Sequence, residues 1–578
     1  MLVLASIMMG ALQVAGVGSV MPVLSLLANP DALAESAFLA WVYDYLGFAT
    51  YRSFLIFIGS AAIGIVVLSN VFMALLMWLI SRFTWQVHGR LSTELLASYL
   101  HSPYVLFLDR NTADLRKNVL QEVERFTGNI IGSMLGLCAF GITIIFLVSF
   151  LIWLNPIFAG LAVVVLGGGY IALFLVVRRV LMRAGGARVE ADVLRHKVVA
   201  ESMDGIKETK VLGTESSFLV RFAPPTRAVA TAMIKQQVLA QIPKYAIEAF
   251  AFGSLLVGAL YFVGTGSGLR DLVSVVGVYA FAGYRLLPAV QNVYQSWSAV
   301  RFHHAVSELI HRDLRMQPRA PKVLRASSAR ARERLTFDKS IRLDNATFSY
   351  PRTLVPALNS VNLSIDKGST VAFVGETGAG KTTAADVILG LFRPQIGAVR
   401  VDGVALDDDA IVRRWQNNVG YVPQDIFLVD DTIAANIAFG VPAAEIDMEA
   451  VRRAAQVARI DRFIDDELPL RYQTVVGERG IRMSGGQRQR VGIARALYRD
   501  PAVLVLDEAT SDLDVRTESL VHEAIMSVRG AKTVIIIAHR LSITKACDRL
   551  FVFDHGRVVA EGRHDQVVTP TGSLIARG

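Results

Sequence analysis

The chain has 578 residues, with 59 Lys plus Arg against 50 Asp plus Glu and a net charge of +9. Hydrophobic residues make up 53% of it and charged ones 19%, a balance that excludes a disordered chain or a polyelectrolyte tail for nucleic acid. Cys138 and Cys547 form no CxxC pair, so no disulfide framework or structural zinc site can be built from cysteine alone.

The apolar residues are concentrated in the first half. Residues 1–30, 53–81, 131–154, 155–177 and 249–269 carry no charged side chain, and 272–300 is broken only by Arg285. Each run is near or above the ~20 apolar residues that cross a bilayer core. We therefore expect a membrane domain over 1–310 with six spans near 1–30, 53–81, 131–154, 155–177, 246–269 and 272–300. Residues 1–30 have no basic lead-in and are too long for a signal-peptide core.

Between spans 1 and 2, Leu33, Ala37, Phe38, Trp41, Tyr45 and Phe48 recur near helical spacing. They predict a short amphipathic helix that lies at the outer interface or caps the two spans. The connections after spans 2 and 4 hold the basic residues, from Arg82, Arg90 and Arg110 to Arg178, Arg179, Lys207 and Lys244. By the positive-inside rule these face the cytoplasm. Both also keep helical periodicity, which predicts membrane helices that continue well beyond the bilayer. Residues 311–340 are basic and turn-rich and read as a solvated linker, with no nucleic-acid partner, leading to a soluble α/β domain over 341–578.

That domain carries a phosphate-binding pattern. The apolar strand TVAFV at 370–374 is followed by GETGAGKTT and a helical run, the strand, glycine loop and helix that such a loop requires. Gly375, Gly378 and Gly380 let the backbone curl so that N–H groups point at phosphate oxygens. Lys381 supplies a positive charge and the Thr382 hydroxyl can ligate Mg²⁺. Downstream, AVLVLDEAT is an apolar strand ending in Asp507 and Glu508, one carboxylate suited to a metal and one to polarising water. In MSGGQRQR, Ser484, Gly485, Gly486 and Gln487 open a helix and form a second anion-binding helix start.

Taken together, these residues resemble the nucleotide-binding domain of an ATP-binding cassette protein. The resemblance implies that Tyr350 stacks on adenine and that Gly375, Glu376, Thr377, Gly378, Ala379, Gly380, Lys381, Thr382 and Thr383 form the phosphate loop. It implies that Gln424, with Thr382 and Asp507, attends Mg²⁺, that Glu508 is the catalytic carboxylate and that His539 is the switch histidine. Met483 stands where the signature usually has Leu, and Asp512 where the following loop usually has Ala. One cassette per chain implies a homodimer with two composite ATP sites. Six spans ahead of one cassette resemble an exporter half-transporter: a helical, type I exporter-like membrane domain fused to an α/β P-loop NTPase, set in the inner membrane. Residues 100–115 and 206–222 resemble its two coupling segments.

The opening GALQVAGVGSVMPVLSLLANP, the segment ADLRKNVLQEVERFTGNI and YRLLPAVQNVYQS resemble bacterial lipid-linked oligosaccharide flippases and related polysaccharide and glycolipid exporters. This implies an amphipathic lipid cargo; another glycolipid, lipid, peptide or drug is the alternative, and a non-transport ATPase a remote one. Arg285 inside a span independently suggests a cavity-facing charge. With Arg82 and Lys244 it could receive a diphosphate headgroup. The structural alternative is an ion pair with Glu248, and for Arg82 and Lys244 simple topology.

Overall fold

A computed structural model describes the chain except residues 29–32, 34–35, 155, 157–159, 161–167, 266–268, 316–332, 478–482, 508–514, 539–543 and 569–578. It gives the backbone alone for 169–174, 176, 243, 246–247, 249–279 and 515–517. The chain divides into two units, Met1–Ser102 with Arg110–Ala320, and Pro103–Asp109 with Pro321–Gly578.

In the first unit, α1 (Leu2–Ala28), α2 (Ala37–Tyr45) and α3 (Tyr51–Leu100) are followed by α4 (Val105–Asp109), which belongs to the second unit. The path returns through α5 (Thr112–Lys117), a π-helical turn at Asn118–Glu122, α6 (Val123–Phe126), a second π-helical turn at Thr127–Ile131 and α7 (Gly132–Leu154). Then come α8 (Gly168–Asp204), α9 (Ile206–Leu212), α10 (Glu215–Thr265), α11 (Leu269–Phe302) and α12 (His304–Arg315). Among the described residues three helical stretches, Leu2–Leu27, Tyr51–Leu100 and Thr112–Leu154, are long and apolar enough to cross a membrane. At 50 residues α3 is about 75 Å long, more than twice a hydrocarbon core of about 30 Å. The predicted extensions beyond the bilayer are therefore real helices.

Close approach replaces a large core here. A Cβ on Gly10 of α1 would meet the Phe146 ring of α7 at 2.8 Å, and one on Gly185 of α8 would lie 2.0 Å from the Phe302 carbonyl of α11. Within the apolar spans a small residue such as Gly10 lets helices pack by van der Waals contact where lipid offers no hydrophobic drive, and Gly185, past the expected span, lets α8 meet the α11 backbone.

The outer helix turns one side to the ends of α1 and α3 and leaves the other uncovered. Leu39, Val42 and Tyr43 pack with Leu26 and Phe54 at the ends of α1 and α3. Phe38, Trp41 and Tyr45, from the expected apolar face, are exposed in a stacked row with centroids 6.5 and 5.1 Å apart, as on a helix that lies at an interface. The helix is apolar on two sides, so periodicity alone could not choose between them.

The second unit contains β1 (Ser340–Phe348), β2 (Leu358–Asp366), β3 (Thr370–Val374), α13 (Lys381–Ile388), β4 (Ile396–Val401), β5 (Val404–Ala405), α14 (Asp409–Gln416) and β6 (Val419–Val422). It continues through α15 (Ile433–Ile437), α16 (Met448–Val457), α17 (Asp461–Asp466), α18 (Gly485–Leu497), β7 (Val503–Asp507), α19 (Val515–Ser527), β8 (Thr533–Ile537), β9 (Arg549–Asp554) and β10 (Arg557–Gly562). A four-stranded antiparallel sheet runs β2-β1-β4-β5, and a six-stranded sheet runs β10-β9-β3-β8-β7-β6 with its inner pairs parallel.

Strand alternation sends Ala372, Leu504, Leu506, Val534 and Ile536 into one core and Val371, Phe373, Val503, Val505 and Ile535 into another. The six-stranded sheet is thus covered on both faces, as parallel sheets require. Both ends of the stretch read as a linker, 311–340, are built into structure. α12 continues to Arg315 because Ile310 and Asp313 are buried, and Leu335 and Phe337 enter the second core.

Candidate nucleotide site

The parallel strands place their carboxyl ends in one row. Ile537 of β8 lies in register with both Phe373 of β3 and Asp507 of β7, and Val422 of β6 lies beside Leu506. Loops leaving such a row are where open α/β sheets bind ligands. The phosphate loop, Asp507 and Gln424 all follow these strand ends. Glu508 and His539, and Asp512 beyond them, lie outside the described residues, though the strands leading to Glu508 and His539 end side by side.

The loop takes the backbone that its glycines were expected to allow. Gly375, Gly378 and Gly380 have φ of 146°, 84° and 102°. A Cβ at Gly375 would stand 2.2 Å from the Phe553 carbonyl, and one at Gly380 2.6 Å from that of Ala357. Lys381 is buried in the curl, its Nζ donating to the carbonyls of Gly375 at 2.9 Å and Glu376 at 2.8 Å. Glu376, Thr377 and Thr382 are exposed, while Ala379 and Thr383 are buried. Tyr350 is half-buried, its hydroxyl paired with Thr383 Oγ1 at 3.0 Å and its ring edge-on to Phe348 and Phe392. Burial raises the pKa of its phenol above the ordinary value.

α18 begins with a capping box. Ser484 Oγ accepts from the Gln487 amide, and Gln487 Oε1 accepts from the Ser484 amide. The Gly485 position is open, with no atom within 4 Å of a built Cβ. Beyond the two amides of the capping box, the open space at Gly485 leaves this helix start uncovered by side chains there, as an anion site requires.

Negative charge gathers by β7. Asp507 is 6% exposed, and the nearby Asp386 carboxyl of α13 is pushed up to about 7, first by burial and then by Asp507. Burial, followed by Asp507, also raises the Tyr421 phenol. A buried carboxylate, a hydroxyl (Thr382) in the first turn of α13 and an amide oxygen (Gln424) in the loop after β6 make a hard oxygen set, the kind Mg²⁺ takes.

Several contributing residues escaped the sequence reading. Arg495 of α18 donates to the carbonyls of Asn436 at 2.8 Å and Phe427 at 2.7 Å, and burial lowers its pKa to about 10. It thereby ties the stretch after Gln424 to the signature helix. Gly492 leaves room for Ile426, which would lie 2.4 Å from a Cβ there. Tyr104, just ahead of α4, meets Phe392 at 5.7 Å, and Asp109 pairs with Arg352 at 3.0 Å. An aromatic series thus joins the first coupling-like segment to Tyr350.

Two family profiles match, described as ABC transporter transmembrane region over residues 19–285 and ABC transporter over 358–511. The ATP-dependent lipid A-core flippase of Cupriavidus metallidurans is 31% identical over 503 residues, 86% of this chain and 82% of the relative. The chain belongs to the ABC transporter family. A second lipid A-core flippase, from Chromobacterium violaceum, is 35% identical over 384 residues, 66% of this chain and 63% of that protein. A bacterial Atm1-family ABC exporter with ATP bound is 27% identical, with a TM-score of 0.74 covering 97% of this chain and 95% of that one. This ABC transporter is a multi-pass inner-membrane protein whose cytoplasmic P-loop domain binds and hydrolyses ATP to drive transport.

In the membrane unit the three candidate substrate cations have separate neighbours. Arg285 Nη1 donates to Asn70 Oδ1 at 2.8 Å and the guanidinium lies over Phe281. Lys244 pairs with Glu248 at 3.9 Å, so Glu248 is not the partner of Arg285. Arg82 lies over Trp78, 5.2 Å from its centroid.

Proposed function

We propose that this ABC transporter works as a homodimer and flips an amphipathic lipid with a glycan or phosphate headgroup from the inner to the outer leaflet, using Mg²⁺ with ATP. The observation that carries the cargo reading is Arg285, a guanidinium on a membrane helix held by the neutral amide of Asn70. Its charge is not neutralised by that partner, which leaves it suited to an anionic headgroup. Relatives named as lipid A-core flippases support the same class. Arg82 and Lys244 would assist at the cytoplasmic ends.

In the ATPase domain, Tyr350 would hold adenine while the loop amides and Lys381 hold the phosphates. Thr382, Gln424 and Asp507 would hold Mg²⁺, which when bound neutralises charge on the phosphate oxygens. Glu508 orients the attacking water and His539 contacts the γ-phosphate. Ser484, Gly485, Gly486 and Gln487 of a second copy would complete each site.

The test is flipping in proteoliposomes with fluorescent lipid A, a polyprenyl-diphosphate oligosaccharide and a plain phospholipid. The expected result is ATP-dependent movement of one or both glycan-bearing lipids, reduced about tenfold or more in Arg285→Ala with basal ATPase retained. Movement of the plain phospholipid alone, or unimpaired flipping by Arg285→Ala, would overturn the cargo reading.

A further inference from the structure

The chain passes between its two units three times, after Ser102, after Asp109 and before Pro321. On the membrane side, one carboxylate gathers the approaches to all three. Asp313, in the last turn of α12, is 0% exposed. Its Oδ2 accepts from Tyr99 Oη at 2.7 Å and from Asn118 Nδ2 at 3.1 Å, and its Oδ1 accepts from Arg110 Nη1 at 2.9 Å. Tyr99 lies just ahead of the first crossing, Arg110 directly follows the second, and Asp313 precedes the third.

The chemistry makes every donor in this tie count. Burying a carboxylate costs several kcal/mol, and only a full set of charge-assisted hydrogen bonds offsets it. The tie is also anchored from behind. The π-helical turn at Asn118–Glu122 buries both of its end residues. Asn118 reaches Asp313, whereas Glu122 joins Arg125 at 2.7 Å, and Arg125 joins Asp192 of α8 at 3.2 Å. Apolar side chains of similar size would give equal stability more simply, so the buried charge needs another reason.

We propose that Asp313 is a positioning residue for energy coupling: it holds the three chain segments that lead to the ATPase unit together, so that movement driven by ATP is delivered to the membrane helices as one displacement. The proposal rests on the chain being an ATP-driven transporter and not on the identity of its cargo.

Amide hydrogen exchange of the full-length protein in lipid nanodiscs, with and without ATP and vanadate, tests it. The parent is expected to respond both at the phosphate loop, 375–383, and in α3 and α11. Asp313→Asn should keep ATPase activity within about twofold and keep the loop response, while the response of α3 and α11 falls about fivefold or more. Tyr99→Phe removes one donor without removing the ring and should show a smaller loss in the same direction. A parent-like response of α3 and α11 in Asp313→Asn overturns the proposal. So does a parallel loss of ATPase and membrane response, which would make Asp313 a structural prop. Should Asp313→Asn fail to accumulate, Tyr99→Phe decides, and an unchanged membrane response in it overturns the proposal. Since no cargo is used, this outcome is separate from the flipping assay.

Discussion

The ATPase unit has two broad cores, one on each face of its six-stranded sheet. The membrane unit instead buries its apolar side chains in small separate groups, such as Val17, Leu147, Leu151, Ala282 and Leu286, or Met9, Leu76, Ile80 and Ala139. Large apolar residues such as Ile56, Ile63 and Trp153 remain exposed at 63, 67 and 79%. In water, apolar surface is driven inward; lipid tails are as apolar as leucine, so helices there are joined by close approach and by polar contacts. The difference also appears in what is buried. In the ATPase unit, buried charge such as Lys381 and Asp507 flanks the nucleotide site, whereas in the membrane unit Glu122, Arg188, Asp192 and Asp313 lie in the helical extensions beyond the bilayer.

Four experiments would break or sharpen this contrast. The largest effect is expected at the motor: Glu508→Gln should lower ATP hydrolysis about 100-fold or more while retaining ATP binding, measured by phosphate release and nucleotide retention. Near-normal turnover would remove Glu508 from its role and leave the row of strand ends without its base.

Next comes the buried ionic group of the membrane unit. Glu122 faces Lys117, Arg125 and Arg188 at 3.4, 2.7 and 3.7 Å. Glu122→Ala should cost about 3–5 kcal/mol because it takes the carboxylate from the buried Lys117 and leaves Arg125 and Arg188 to share Asp192. Chemical unfolding in detergent would measure this, and a cost below about 1 kcal/mol would show the cluster to be screened as a surface group is.

Gly185→Val should destabilise by roughly 1–3 kcal/mol, since the added atoms meet the backbone carbonyl of Phe302 and not a movable side chain. The same assay reads it. An unchanged unfolding midpoint would mean that α8 and α11 do not need close approach there.

The smallest expected effect is pH-dependent. The Asp386 carboxyl, pushed up to about 7 from its ordinary 3.8, holds its proton more tightly folded than unfolded. Its contribution is therefore full below about pH 4 and is lost as pH rises through about 7. Asp386→Asn cannot ionise, so the variant should gain on the order of 1–3 kcal/mol over the parent between about pH 5 and pH 8. Parallel melting curves for the two proteins across that range would refute it.

Much of the ATPase site was legible because its chemistry is local. Gly375, Gly378, Gly380 and Lys381 act within one short loop, and the helix start at Ser484, Gly485, Gly486 and Gln487 spans four residues. Arg495, Asn436 and Tyr421 were not legible, because their partners come from other loops and strands. The outer helix shows the same limit, since its two apolar sides could be ranked only by what packs against them.

The sequence by itself determined the charge-free runs, the glycine-rich loop and the plan of a membrane region followed by a cassette. Each depends on residue type and short-range spacing, which periodicity and motif register directly. Only the tertiary structure decided that Asp313 is interior and bound to Tyr99, 214 residues away, or that Arg285 meets Asn70 while Glu248 goes to Lys244. A charged residue in a helical run reads as solvated unless distant partners offset its burial, and those partners are brought together only when the helices pack.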